Sequence, residues 1–198
     1  MFRSESMKII VASNNQGKLK EFKSILEPLG YTVVTAKEQG ISMDSVEETG
    51  ATFVENSIIK AAFVHEQTGL PTIADDSGLT ISALPDILGV YSARFMGEDT
   101  PYVDKNNEIL KRLKDESQRD AYFTSAIVMI DEQGIHAFEG RIDGSIAEAI
   151  MGEGGFGYDP IFVPNGMTVS FGMLDADVKN KISHRALALQ KFIDFMEA

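Results

Sequence analysis

The chain has no cysteine. That excludes disulfides, thiolate metal sites and a thiol nucleophile together. Histidine is nearly as scarce. His65, His136 and His184 are scattered over 198 residues, which leaves no set from which to build an imidazole zinc centre. Positive charge is short as well, with 18 Lys and Arg against 30 Asp and Glu and a formal net charge of −12. So acidic a surface does not grip a phosphate backbone or an anionic membrane, so neither nucleic acid nor membrane is expected as a partner. An anionic ligand requires a local basic cluster or a metal. No apolar run approaches the length of a membrane span, and Ile9 to Ala12 is too short for a signal-peptide core. These absences point to a cytoplasmic protein.

What is present is an ordinary globular composition, 43% hydrophobic and 24% charged. It is enough for one folding unit over residues 7–198 with a single core, in one or two lobes. Residues 1–6 read as a leader or remnant ahead of a second methionine, Met7. The stretch Ile73-Ala74-Asp75-Asp76-Ser77-Gly78-Leu79 stands out, because two adjacent carboxylates end an apolar run and a glycine follows. It reads as a buried strand opening into a tight turn. Adjacent side chains on an extended segment point to opposite faces, so Asp75 and Asp76 are expected to do different jobs. An Asx-type turn, with both carboxylates accepting backbone N–H groups, is the competing reading.

Along the chain, Lys8 to Ala12 is a compact strand followed by the polar turn Ser13-Asn14-Asn15-Gln16-Gly17-Lys18. Leu19, Phe22, Ile25, Leu26 and Leu29 then recur at helical spacing up to Gly30. Strand, glycine-containing turn and helix start together make an anion site, to which Lys18 adds a full charge. It is not a P-loop, since Leu19 follows the lysine where that motif needs Ser or Thr. After a strand near Tyr31 to Thr35, Thr52 and Glu55 form a capping-box pattern for a helix reaching about Thr68, with Asn56 and Lys60 sharing a face. Tyr102 to Lys114 reads as a helix. Ala121 to Asp131 and Ile135 to Ile142 read as a hairpin, and the whole as a mixed α/β sheet. In Gly152 to Pro160, four glycines in nine positions carry Phe156, which can offer its face to a flat base or plug a seam. Lys179 to Arg185 reads as the basic opening of a last helix, with Ser183 as N-cap.

The motifs SNNQGK, EETGATFVENSIIKA, ADDSGL, GVYSARF, GGFGYDPIF and KNKISHRALAL, in this order from Ser13 to Leu189, resemble those of the inosine triphosphate pyrophosphatase family. The resemblance implies an elongated, two-lobed α/β fold, a mixed sheet flanked by helices with a nucleotide cleft between the lobes. It also implies a homodimer, a Mg²⁺ requirement, and hydrolysis of ITP, dITP or XTP to the monophosphate and pyrophosphate. Carried over by position, Ser13, Asn14, Asn15, Gln16, Gly17 and Lys18 contact the triphosphate. Glu47 or Glu48 and Asp76 serve the metal; Asp76 is also the general base and Lys60 binds phosphate beside it. Ser77, Phe156, Gly157, Tyr158, Asp159, Lys179, His184 and Arg185 surround the nucleotide. The chain departs from the family pattern at Pro85-Asp86-Ile87-Leu88-Gly89, where a Gly-Gly-x-Pro-Gly turn is usual, and at Val178, where an acid is common. A pyrophosphatase of different base specificity and a non-catalytic purine nucleotide sensor are the alternatives; the sensor has no need of both acids and Lys60, which this chain keeps.

Overall fold

A computed structural model describes residues 7–198; the expected leader lies outside the described residues. Six strands form one sheet in the order β2-β1-β3-β4-β5-β6, and five α-helices accompany it among the described residues. The chain divides into two compact units. The first takes the chain as far as Asp76, with Ala126–Glu139 and Ala188–Ala198; the second is Ser77–Ser125 with Gly140–Leu187.

In the first unit β1 (Lys8–Val11) pairs in parallel with β2 (Thr32–Thr35) and with the start of β3 (Thr72–Ile81). Helix α1 (Gln16–Leu26) makes the first crossover and α2 (Phe53–Thr68) the second. Strand alternation sorts the apolar residues into two clusters. Ile9, Val11 and Ile73 pack with Leu19, Phe22 and Leu26 of α1 and with Leu189 and Phe192 of the last helix, α5 (His184–Met196). Ile10, Ala12 and Ala74 pack with Ala61 and Val64 of α2. Pro28 ends α1 early, and the chain continues as a 3₁₀ turn over Glu27–Leu29. Leu29, expected on the apolar stripe, is therefore 52% exposed.

The second unit has its own core. Leu79 and Ile81 of β3 meet Ile109 of α3 (Tyr102–Arg112), Phe123 of β4 (Asp120–Asp131), Ile146 of β5 (Gly134–Ile146) and Phe162 of β6 (Phe162–Pro164). The β4–β5 connection is the expected hairpin, its turn closed by Asp131 Oδ1 accepting from the N–H groups of Gln133 and Gly134. β6 pairs antiparallel to β5, so the sheet is mixed.

Two expectations need correction. The Asp75-Asp76-Ser77-Gly78 stretch is no turn but lies inside one uninterrupted strand. Side-chain partners on both faces of β3 satisfy the carboxylates, so no backbone turn is needed to receive them. Lys179 and Lys181 do not open the last helix. They lie in a separate short helix, α4 (Ala176–Ile182), and Ser183 breaks the run with an extended ψ of 160°. Its Oγ accepts from the Ala186 N–H at 3.1 Å, which makes it the N-cap of α5 as expected. No described helix is long and apolar enough to cross a membrane.

Candidate functional site

Strand alternation decides where the paired acids go. Ile73 faces α1 and Ala74 faces α2, so Asp75 and Asp76 continue the same alternation. Asp75 meets Lys18 of α1 at 2.8 Å. Asp76 meets α2, accepting from Asn56 Nδ2 at 2.9 Å, with Lys60 Nζ at 3.9 Å. Both acids are buried, 1% and 6% exposed. The two lysines, one from each helix, also converge on a single atom: the Asp75 carbonyl oxygen accepts from Lys18 at 3.2 Å and from Lys60 at 2.9 Å. Lys60 is in addition paired with Glu48 at 2.7 Å. Glu48 is half-buried, whereas Glu47 is exposed.

Burial of Asp76 raises its pKa above the ordinary carboxylate value. Lys60, Lys18 and the Asn56 hydrogen bond pull it back down, while Glu48 adds to the rise. Desolvation wins, so this carboxylate is a stronger base than an exposed one. The sequence spacing places Asn56 only as a neighbour of Lys60 on one helix face. It is fully buried, donating to Asp76 and accepting from the Gly50 N–H at 2.8 Å. An asparagine one turn before a lysine on a capped helix was the available signal.

The Ser13 to Lys18 turn is folded by its own side chains. Ser13 Oγ accepts from the Asn15 N–H, and Asn15 Oδ1 caps α1 by accepting from the Lys18 N–H at 3.0 Å. Asn14 donates to Asp44 at 3.2 Å and Gln16 to the Asn14 carbonyl. A groove of about 800 Å³ touches Ser13, Asn14 and Gln16 but continues along Lys20, Lys23, Glu27, Lys37 and Glu38, not along Asp75 and Asp76. The charged groups converge instead around Asp75 and Asp76.

The second unit gathers the remaining candidates around the glycine-rich loop. Asp159 is buried, and its Oδ2 accepts from the Phe156 N–H at 2.8 Å and from Lys179 Nζ at 2.6 Å. A Cβ on Gly155 would run into that same carboxylate oxygen, so only glycine lets the loop close around Asp159. Phe156 is left half-buried. Lys179 Nζ stands 4.7 Å and the Arg185 guanidinium 5.7 Å from the centre of its ring. Arg185 is 1% exposed and donates to Ser77 Oγ at 2.9 Å. His184 stacks on Phe123, with centroids 4.6 Å apart and planes 11° apart. Tyr158 turns inward and donates to the Ser92 carbonyl at 2.5 Å. Burial pushes its hydroxyl pKa well up, so it stays a neutral donor. Lys181 is exposed and takes no part in this set. Asp159 and Tyr158 thus hold the loop, while Phe156, Lys179, Arg185 and Ser77 form a group of their own. No described cluster of three or more His, Asp or Glu side chains has the arrangement of a metal site.

Comparison with known proteins identifies relatives that span nearly the whole chain. A protein of Bacillus subtilis named dITP/XTP pyrophosphatase is 46% identical over 192 residues, covering 96% of each chain. One of the same name from Porphyromonas gingivalis is 43% identical over 190 residues, covering 96% of this chain and 97% of that one. The solved structure of a HAM1 protein from Coxiella burnetii superposes with a TM-score of 0.85 at 39% identity, covering 97% of this chain and 100% of that one. The Staphylococcus aureus Ham1 protein gives 0.84 at 38% identity, over 96% and 98%. The family model that matches residues 9–195 is that of the Ham1 family, and the chain belongs to it.

Proposed function

We propose that the chain hydrolyses the non-canonical purine nucleoside triphosphates ITP, dITP and XTP to the monophosphate and pyrophosphate, clearing them from the nucleotide pool. The observation that carries this reading is Asp76, a buried carboxylate of raised pKa that Asn56 orients within reach of Lys60. A base so placed can take the proton of an attacking water, while Lys60 and Lys18 meet the charge that develops on phosphate oxygens as the anhydride bond breaks. The N–H groups of Gln16 and Gly17, in the first turn of the Asn15-capped α1, are offered to the phosphates at the positive end of that helix. The names of the relatives, which span nearly the whole chain, support the substrate class.

The donor set fits Mg²⁺ as cofactor. That ion takes oxygen ligands, keeps several waters, and commonly needs only one or two carboxylates beside the substrate's phosphates. Glu48 and Asp76, both reached by Lys60, supply those carboxylates; the exposed Glu47 is not placed with them. Bound there, the ion supplies charge neutralisation for the triphosphate and the leaving pyrophosphate.

We assign the base to Phe156, whose ring offers a face for stacking, with His184, Arg185 and backbone N–H groups of the loop as donors. A fixed donor aimed at the 6-oxygen of hypoxanthine or xanthine meets the amino group of adenine donor to donor, and a buried donor left unpaired is costly. The resemblance further implies a homodimer, and the cytoplasm is the location expected from the composition. The test is kcat/KM for ITP, XTP, GTP and ATP with Mg²⁺ and after chelation. ITP and XTP are expected well ahead of ATP, with GTP intermediate or poor and no turnover without metal. ATP hydrolysed as fast as ITP would remove the selectivity claim, and no pyrophosphate from any of the four would remove the function.

A further inference from the structure

Hydrogen bonds in the second unit tie the GVYSARF segment both to α3 and to the glycine-rich loop, which α3 also reaches directly. Asn106 Nδ2 of α3 donates to the Gly157 carbonyl at 3.1 Å. The next residue in the loop, Tyr158, donates through its hydroxyl to the Ser92 carbonyl at 2.5 Å. The next carbonyl in that turn, Ala93, accepts from Lys105 Nζ at 2.6 Å, and Lys105 adjoins Asn106 on the helix. The Tyr102 ring, one turn earlier, packs edge-on against Tyr158 with centroids 5.1 Å apart. Lys105 is fully buried and Asn106 is 2% exposed. Burial lowers the lysine pKa, a cost that the Ala93 carbonyl and the Tyr102 ring, 4.8 Å from Nζ, offset in part.

Asn106 carries the argument because half of it is poorly served. Its Oδ1 is buried with no hydrogen-bond partner among the described residues. A buried amide with an unmet acceptor is worse for stability than an apolar side chain of similar size, so its retained value lies with the donor. That donor fixes Gly157, which holds a left-handed φ of +66° directly after Phe156. Asp159 fixes the Phe156 N–H from the other side. Phe156 is thus anchored at its own N–H by Asp159 and at the residue that follows it by α3.

We propose that Asn106 is a positioning residue for nucleotide recognition, holding the Gly157 carbonyl so that the Phe156 ring presents its face to the base. The inference rests on the reading of Phe156 as the base platform. Loss of the donor acts on base binding and not on the phosphate chemistry. Asn106→Ala should raise KM for ITP about tenfold, the scale of one buried hydrogen bond with its stranded acceptor. It should leave kcat within about twofold and inhibition by inorganic triphosphate unchanged. Asn106→Asp supplies a readout that a merely structural role would not move. A protonated carboxyl can donate to the Gly157 carbonyl and an ionised one cannot, so the ratio of variant to parent KM should rise with pH. Tyr158→Phe, which removes the hydrogen bond to the Ser92 carbonyl, should also raise KM with inorganic triphosphate inhibition unchanged, and serves if neither Asn106 variant folds. An unchanged KM, or equal losses for ITP and inorganic triphosphate, would overturn the proposal. Absence of ITP turnover in the parent protein would instead overturn the function on which it rests.

Discussion

At the residue scale the structure gives Asp75 and Asp76 separate work by putting them on opposite faces of one strand. Burial raises Asp76, so the folded protein holds that proton more tightly than the unfolded chain does. The group therefore favours folding in acid, and its ionisation works against folding once the pH passes the raised value. Asp76→Asn cannot ionise. Measured without metal, the variant should melt higher than the parent at neutral pH, with the gap closing as pH falls toward the ordinary carboxylate range. Turnover should drop by about 10²-fold or more with the base removed. A variant that melts lower at neutral pH and keeps its activity would contradict both halves. Phe156→Ala makes a complementary case, since loss of a stacking face weakens nucleotide binding by about 1–3 kcal/mol. Inorganic triphosphate, which has no base, should bind the variant as well as the parent; equal weakening of both would refute the stacking role.

At the element scale, α2 starts and stops as its residues dictate. Thr52 Oγ1 accepts from the Glu55 N–H at 3.2 Å, the Glu55 carboxylate accepts from Ala51 and Thr52, and Gly69 closes the helix at a left-handed φ of 65°. Thr52→Ala should cost about 0.5–2 kcal/mol of stability by denaturant titration while leaving kcat nearly unchanged, because Asn56 and Lys60 are held further along the helix. A large loss of kcat would mean that the cap also governs the acids. Elements of this kind were legible because their signals are local: caps, helical spacing, the Asp131 hairpin turn. The Asp75-Asp76 stretch was misread for the opposite reason. Two carboxylates before a glycine look like a turn unless one knows that lysines from α1 and α2 will arrive on either face, and those partners lie 57 and 15 residues away in sequence. Ordered motifs marked nearly every residue that the structure brings to Asp76 or Phe156. What they could not show were the contacts that hold these groups: Asn56 on Asp76, the Asp159 carboxylate on the Phe156 N–H, and α3 on the Gly157 carbonyl.

At the scale of the whole molecule, charge is the property that a polyanionic substrate meets first. The chain carries −12, and the group around Asp76 does not reverse that sign, since Asp75, Asp76 and Glu48 set three carboxylates against Lys18 and Lys60. Without a divalent cation, a triphosphate approaches a protein that repels it at long range and finds a set of groups that is itself net negative. Monovalent salt screens distant charges within about 10 Å at 0.1 M and affects buried pairs much less. In metal-free protein, added salt should therefore strengthen triphosphate binding as the general repulsion is screened. This is the reverse of what a site built from a basic patch shows, where salt removes the attraction. With Mg²⁺ present the dependence should flatten, because the charge of the incoming complex and of the carboxylate set is largely neutralised. Isothermal titration of a non-hydrolysable ITP analogue over a salt series, with and without Mg²⁺, makes the measurement. Affinity that falls with salt in the metal-free protein would mean that Lys18 and Lys60 alone govern the approach, and that the acids around them are already neutral.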